Sequence, residues 1–151
     1  MSIAVLQLEC GRALQEQSGT FSSPAFPKSQ KHKLCEWRIA ETPGERIFLN
    51  FTVFGLRRSS SRCRDEHAEV RDGYSKSSPL IGRFCGRKVP PSIWSTGNRL
   101  WIKYQSYEVV GKQGFKANYK GEKKKFVREI EETWPVATWR LQEKLNMETM
   151  L

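Results

Sequence analysis

The chain has 151 residues, 38% hydrophobic and 11% aromatic, so it can bury the core of one domain and is not disordered throughout. No apolar run approaches the roughly 18 residues that a membrane-spanning helix needs. The formal charge of +10 resides in residues 1–120, which hold 20 Lys and Arg against 10 Asp and Glu, whereas residues 121–151 hold six of each.

The first part of the chain mixes loop and strand signals. Residues 1–9 are predicted to form a leader strand or a linker. Residues 19–27 contain two prolines and predict a turn-rich loop. Residues 36–39 alternate polar and apolar side chains, as a half-buried strand does, and residues 42–45 predict a turn.

Residues 47–54 give the strongest strand pattern in the chain. One face is expected to point to the core and carries Ile47, Leu49, Phe51 and Val53. The opposite face is expected to carry Phe48, Asn50, Thr52 and Phe54.

Shorter segments follow. Residues 57–64 are a loop of Ser and Arg, and residues 68–71 predict a strand that the hairpin-type turn Asp72-Gly73 ends. Residues 80–84 predict another strand, and Pro90-Pro91 precludes regular pairing there.

Two further alternating segments lie at residues 100–104 and 115–119. Short alternating strands at this spacing, interrupted by Gly and Pro, predict an all-β sandwich.

The composition changes after Tyr119. Residues 121–151 place Phe126, Ile130 and Trp134 at helical spacing before Pro135, and a second apolar series follows it. This pattern predicts a tail of two short amphipathic helices. The alternative is a weakly ordered tail, because isolated short helices are marginal in water.

Four cysteines lie within the strand-like region, at Cys10, Cys35, Cys63 and Cys85. No pair has the C-x-x-C spacing of a metal or redox motif. Two disulfides in one of three possible pairings are the simplest interpretation, and they imply an oxidising, extracellular environment. The segment at residues 1–8 is too short and lacks the positive charge of a signal peptide, so we expect a module of a longer secreted protein.

Residues 10–120 resemble a CUB domain. The resemblance rests on Cys10-Gly11, Gly19-x-Phe21-x-Ser23-Pro24-x-Phe26-Pro27, Cys35-x-Trp37-x-Ile39, Pro43-Gly44-x-x-Ile47-x-Leu49-x-Phe51, Glu69-Val70-Arg71-Asp72-Gly73, Gly82-Arg83-Phe84-Cys85-Gly86 and Gly114-Phe115-x-Ala117-x-Tyr119. Within that family the chain is most similar to the first CUB module of the tolloid and procollagen C-proteinase group, which are secreted metalloproteases.

The resemblance implies a jelly-roll sandwich of two antiparallel sheets. It also implies the pairs Cys10–Cys35 and Cys63–Cys85. Its functional implication is protein–protein recognition, with substrate or cofactor engagement if the parent is a tolloid-like metalloprotease.

Many CUB domains bind calcium, and the family pattern places the ligands at Arg57, Glu66 and Tyr107 in this chain. Calcium needs several oxygen ligands, and an arginine and a tyrosine are poor substitutes. Asp65 and Glu66 are therefore only weak metal candidates, and no cofactor is predicted. They are better explained as ion-pair partners of Arg62 and Arg64.

No catalytic site is predicted on this chain. His32 and His67 lie in no H-E-x-x-H pattern, and no G-x-S-x-G motif is present. His67 is expected in a charged loop beside Asp65 and Glu66, and His32 on a solvated face.

The loop at residues 57–64 is the predicted binding site. It carries Arg57, Arg58, Arg62 and Arg64 with no acid, and Tyr107 is expected beside it. Arginine binds carboxylate and sulfate in a bidentate manner, which predicts an extracellular protein partner or, alternatively, heparin-like glycosaminoglycan. A mobile solvated loop is the other interpretation. Nucleic acid is disfavoured, because most aromatic residues alternate into the core.

Asn50 begins the sequon Asn50-Phe51-Thr52 on the predicted outer face of its strand, which predicts a glycosylation site. The alternative is an unused sequon.

Overall fold

The structure is a computed structural model, and it describes residues 10–58 and 60–124. These residues form nine strands and contain no helix, and so none that could cross a membrane. In chain order the strands are β1 Ala13–Leu14, β2 Ser18–Ser22, β3 Leu34–Ala40, β4 Glu45–Gly55, β5 His67–Arg71, β6 Leu80–Phe84, β7 Ile93–Trp94, β8 Arg99–Gln105 and β9 Gly114–Lys123.

Two sheets form the sandwich. The five-stranded sheet has the order β1-β3-β8-β5-β6, and the four-stranded sheet has the order β2-β9-β4-β7. The neighbours are antiparallel except β1 and β3, which pair in parallel through Ala13 with Arg38 and Leu14 with Ile39. The predicted all-β sandwich of two sheets is confirmed, and the parallel pair is a departure from purely antiparallel sheets.

The predicted terminal segments fall largely outside the described residues. The leader at residues 1–9 and the helical tail lie there, apart from the first residues of the tail. β9 continues to Lys123, and the Gly121 N–H donates to the carbonyl of Gln17 at 2.9 Å. The four-stranded sheet therefore includes residues beyond position 120.

The loop predicted at residues 19–27 is wrong in its first part. Residues 18–22 form β2, which pairs with β9 along its whole length. Phe21 is buried there, with its ring centroid 5.0 Å from that of Trp37. Pairing with β9 and burial of this ring outweigh the turn-forming composition of the segment. The hairpin turn predicted at Asp72-Gly73 is instead a longer connection, which the Asp72 N–H closes by donating to the Pro79 carbonyl at 2.8 Å.

A β-bulge changes which side chains β4 buries. Phe51 pairs with Ala117 and Val53 with Lys116, so Thr52 is the extra residue. Beyond the bulge Phe54 is buried, only 3% exposed, and Val53 is half-buried. The alternation therefore predicts Ile47, Leu49 and Phe51 correctly, and it is wrong for Val53 and Phe54 because a bulge shifts the face by one residue.

The core lies between the sheets and is rich in aromatic side chains. Phe115 is fully buried, and its ring centroid lies 5.4 Å from Phe51, 5.7 Å from Trp37 and 5.7 Å from Tyr104. The contacts with Phe51 and Trp37 are edge-to-face, a geometry that stabilises by about 0.5–1.5 kcal/mol per pair beyond area burial. This packing fixes the ends of β4, β8 and β9, from which the loops of the candidate site emerge.

Candidate functional site

Three segments meet at one end of the sandwich and enclose an open cleft of about 880 Å³. They are the end of β4 with the residues after it, the residues after β6, and the end of the β8–β9 loop. The Leu56 N–H donates to the Gly86 carbonyl at 2.8 Å, and the Gln113 N–H donates to the Gly55 carbonyl at 3.3 Å. Backbone hydrogen bonds therefore join all three segments.

The cleft is strongly basic. None of the described residues that line it is Asp or Glu, whereas five cationic side chains do so: Arg57, Arg58, Arg87, Lys88 and Lys112. All five are exposed, and within residues 10–58 and 60–124 only Arg57 forms an ion pair with an acid, with Nε 3.7 Å from Oδ2 of Asp65. Walls of one charge sign concentrate the electric field, so this cleft favours an anionic ligand.

Glu66 forms hydrogen bonds with two walls of the cleft. Its side chain is fully buried, and Oε1 accepts hydrogen bonds from the N–H groups of Arg57 at 2.8 Å and Gly111 at 2.6 Å. Oε2 accepts one from the Tyr104 hydroxyl at 2.5 Å. Burial raises the pKa of Tyr104 far above its usual range, and the bond to Glu66 raises it further, so this hydroxyl keeps its proton.

Gly111 allows the β8–β9 loop to approach the β4 segment closely. A Cβ atom added there would lie 2.8 Å from the Arg57 nitrogen and 2.8 Å from the Gly55 carbonyl oxygen. Real side chains do not tolerate this contact with backbone atoms, so the narrow spacing requires glycine.

Two disulfides are present, Cys10–Cys35 and Cys63–Cys85, the pairing that the resemblance implies. Cys63 lies within the arginine-rich loop at residues 57–64, and Cys85 begins the segment that carries Arg87 and Lys88. The second disulfide therefore joins two of the basic segments covalently.

Sequence-based reasoning located part of this site. Arg57 and Arg58 line the cleft, whereas Arg62 and Arg64 are exposed in the same loop and do not. Tyr107 is 43% exposed in the β8–β9 loop, also outside the lining, and its carbonyl accepts a hydrogen bond from the His32 N–H.

Three cations of the cleft were missed. Arg87 and Lys88 directly follow Cys85-Gly86, so the implied Cys63–Cys85 bond could have placed them beside the arginine loop. Lys112 carries no such signal, because its position depends on the contact between Gly111 and Glu66.

The residues at the family's calcium positions do not fit a calcium ion. Both oxygens of Glu66 are occupied by three donors, and Arg57 brings a positive charge. Within residues 10–58 and 60–124, no group of three His, Cys, Asp or Glu could hold a metal. The expected pairing of Asp65 and Glu66 with Arg62 and Arg64 is wrong, because Asp65 lies beside Arg57 and Glu66 is buried against backbone donors.

The two histidines lie apart from the cleft lining. His67 is the first residue of β5 and only 2% exposed, so its placement in a charged loop is wrong. Burial, together with the charges of Arg83 and Lys103, lowers the pKa of His67 to about 4. His32 is exposed, and its Nε2 lies 2.9 Å from Oε1 of Glu108.

Asn50 lies on the outer face of β4, between the buried Leu49 and Phe51. Its Oδ1 accepts a hydrogen bond from the Ser92 hydroxyl at 3.0 Å. The predicted outward orientation of this sequon therefore agrees with the structure.

Comparison with known proteins gives a consistent result. A family model described as CUB domain matches residues 10–119. Bone morphogenetic protein 1 of Xenopus laevis is 50% identical over 111 residues, which cover 73% of this chain and 16% of that protein. Human tolloid-like protein 1 is 48% identical over 111 residues, covering 73% of this chain and 11% of that protein.

The solved structures include the CUB1-EGF-CUB2 domains of rat MASP-1. That structure aligns with a TM-score of 0.69 and 23% identity, covering 82% of this chain and 47% of the other. At this identity the match supports the fold. The chain spans less than a fifth of the two relatives above, so it corresponds to one module of each.

Proposed function

This chain belongs to the CUB domain family, and from that premise we propose that it is a non-catalytic extracellular module, residues 10–120, that recognises a protein partner. The basic cleft binds an acidic segment of that partner. The observation that carries this proposal is the meeting of five cations around one cleft, with no acid among the described residues that line it.

The cations are available to a ligand. Among the described residues, no ion pair joins Arg58, Arg87 or Lys88 to an acid. The pair between Arg57 and Asp65 is exposed at 3.7 Å and contributes little to stability. Guanidinium groups bind carboxylates through two parallel hydrogen bonds, so Asp and Glu side chains of an extended peptide suit this cleft. Arg62, Arg64 and Tyr107 lie outside the lining, and we propose them as additional contacts with the partner.

An extracellular location is supported by the two disulfides, which persist in oxidising compartments. Asn50 carries an N-linked glycan. In a tolloid-like secreted metalloprotease, this module positions a substrate or a cofactor protein for a catalytic domain elsewhere in the parent. We expect no calcium ion at the family's position, since three donors occupy both oxygens of Glu66.

A charge-matched pair of variants tests the cleft. The cleft variant is Arg58→Glu, Arg87→Glu and Lys88→Glu. The control is Lys28→Glu, Lys76→Glu and Lys116→Glu, three exposed lysines outside the lining. Both triple variants change the net charge equally.

The probe is a fluorescent peptide of alternating Glu and Ser, and its binding is measured by anisotropy at 150 mM NaCl. We expect the cleft variant to lose at least tenfold in affinity and the control less than threefold. Equal losses would show that the peptide senses only overall charge and would contradict the cleft as the site.

A second candidate is a heparin-like glycosaminoglycan, which the basic excess of residues 1–120 favours. Retention on heparin that is lost near physiological salt indicates weak electrostatics alone. Stronger retention that is abolished when Arg57, Arg58, Arg62 and Arg64 are all changed to Ser would favour this candidate and locate its site.

A further inference from the structure

The outer face of the four-stranded sheet carries an aromatic pair beside the sequon. Phe48 and Asn50 are two residues apart on β4, so both side chains lie on this face. Phe48 pairs across the sheet with Trp94 of β7, and their ring centroids are 4.7 Å apart. The Phe48–Trp94 pair therefore lies next to Asn50, the proposed glycosylation site, on the same face of the sheet.

This aromatic pair is held in place yet open to solvent. The Arg46 guanidinium lies 4.2 Å from the Trp94 ring centroid, and the Lys120 ammonium lies 6.0 Å from that of Phe48. Trp94 is still 40% exposed. A large apolar ring on a two-residue edge strand is a liability for association unless something covers it.

A shallow depression adjoins Phe48 on the side away from Trp94. Its volume is about 430 Å³, and β2 and β9 supply its other residues, among them Gly19, Asn118 and Lys120. Asn118 is the cross-strand partner of Asn50, and Lys120 is the partner of Phe48. The depression therefore lies within reach of the first sugar on Asn50.

We propose that the Asn50 glycan lies on this sheet face, with the apolar face of its first N-acetylglucosamine packed on the Phe48 ring. This inference rests on the glycosylation proposed above. The Asn50 hydrogen bond to Ser92 uses Oδ1, and Nδ2 is the atom that bears the sugar.

The chemistry of the two groups is complementary. The C–H groups of a pyranose carry partial positive charge, and the face of an aromatic ring is negative. Side chains two residues apart on a strand are about 6.5 Å apart, the reach of one sugar ring folded back along the strand. The polar rim of the depression, Asn118 and Thr20, faces the hydroxyl and acetamido groups.

Selective deglycosylation tests this contact. The chain is secreted from mammalian cells that make only high-mannose glycans, and mass spectrometry measures the occupancy of Asn50. One sample is cut so that a single N-acetylglucosamine remains, and in another an amidase removes the whole glycan together with Nδ2 and leaves an aspartate at position 50. Thermal unfolding is then compared with that of Phe48→Ile, which keeps an apolar β-former without a ring.

In the unsubstituted chain we expect the single sugar to preserve the midpoint temperature and complete removal to lower it by about 4 °C. In Phe48→Ile, complete removal should change it by less than about 1 °C. Tyr107→Ala, which removes an exposed ring from the β8–β9 loop, should behave like the unsubstituted chain. A second readout is the upfield ring-current shift of the sugar protons, which Phe48→Ile should abolish.

Equal losses with and without the Phe48 ring would overturn this inference and leave the glycosylation proposal intact. An unoccupied Asn50 in the secreted chain would overturn both, and the cleft proposal would be unaffected.

Discussion

The Tyr104 hydroxyl donates a hydrogen bond to Oε2 of Glu66, inside the protein and directly beneath the basic cleft. The other oxygen of Glu66 accepts the N–H groups of Arg57 and Gly111, which belong to two different walls. One buried carboxyl group therefore couples the sandwich core to the shape of the cleft.

We expect the loss of Glu66 to lower the free energy of unfolding more than the loss of the Tyr104 hydroxyl does. Tyr104→Phe deletes one hydrogen bond and should lower the free energy of unfolding by about 1–2 kcal/mol. Glu66→Ala leaves the buried Tyr104 hydroxyl and the N–H groups of Arg57 and Gly111 without their acceptor, and should cost about 3 kcal/mol or more. Urea denaturation measures both values.

The same variants separate stability from binding. Tyr104→Phe keeps both wall contacts, so its affinity for the acidic peptide should remain within twofold. Glu66→Ala should weaken binding even at temperatures where it is folded. Equal stability losses in the two variants would contradict the assigned role of Glu66.

Alternation along single strands allowed much of the fold to be predicted. The patterns around Trp37, Leu49 and Ile102 identified β3, β4 and β8, because burial of one face imposes a two-residue period. The period does not reveal a bulge, so Phe54 was assigned to the wrong face. β1 and β7 have two residues each, too few for any period to appear.

The candidate site was less predictable, since it is assembled from segments distant in sequence. Arg57 and Arg58 are visible as part of a basic run, but Lys112 joins them only through the loop that Glu66 holds. An acidic residue next to a basic loop in the sequence normally forms an exposed ion pair with that loop. Here Glu66 is fully buried, which depends on the backbone donors that the fold brings to it.

The two disulfides should be distinguishable by their effect on the cleft. Cys10–Cys35 and Cys63–Cys85 span 25 and 22 residues, so removing either should cost about 3 kcal/mol by the loop-entropy estimate. Only Cys63–Cys85 links two cleft segments. We therefore expect Cys63→Ser with Cys85→Ser to weaken binding of the acidic peptide, whereas Cys10→Ser with Cys35→Ser should leave the folded fraction with normal affinity.

Chemical denaturation and anisotropy on the same samples give the two quantities. The double variant at Cys10 and Cys35 is the matched control, because the loop lengths are similar. Equal loss of affinity in both would show that the cleft depends on overall stability alone.

His67 should make the domain less stable as the pH falls. Its pKa is about 4 in the folded protein and about 6.5 when unfolded, so the unfolded chain binds the proton more tightly. The contribution is fully present above pH 6.5 and is lost as the pH falls towards 4. Relative to His67→Gln, which cannot titrate, the protein should lose about 3 kcal/mol between pH 7 and pH 4.

Urea denaturation of both proteins at several pH values provides the difference. A stability difference between His67→Gln and the unsubstituted protein that does not vary with pH would contradict the buried, neutral state of His67.

Glu41 should act in the opposite direction. Burial, followed by the charges of Glu45 and Glu16, raises the pKa of Glu41 to about 7. Its contribution is therefore present below the unfolded pKa of 4.5 and is lost as the pH rises through 7. Glu41→Gln mimics the protonated acid, so it should raise the midpoint of thermal unfolding by several degrees at pH 8 and leave it almost unchanged at low pH.

Glu108→Gln provides the comparison, because that carboxylate is exposed and hydrogen-bonded to His32 and Lys31, and its replacement should give no gain at pH 8. A gain in Glu41→Gln that is the same at pH 5 and pH 8 would contradict the raised pKa.

Between pH 4.5 and 6.5 the contribution of Glu41 to stability falls as the pH rises, whereas that of His67 increases. The two contributions oppose each other, so the free energy of unfolding of the unsubstituted protein should vary only slightly with pH in this range. His67→Gln should make the free energy of unfolding fall with rising pH, and Glu41→Gln should make it increase with rising pH. The unsubstituted protein alone does not reveal these two opposing contributions.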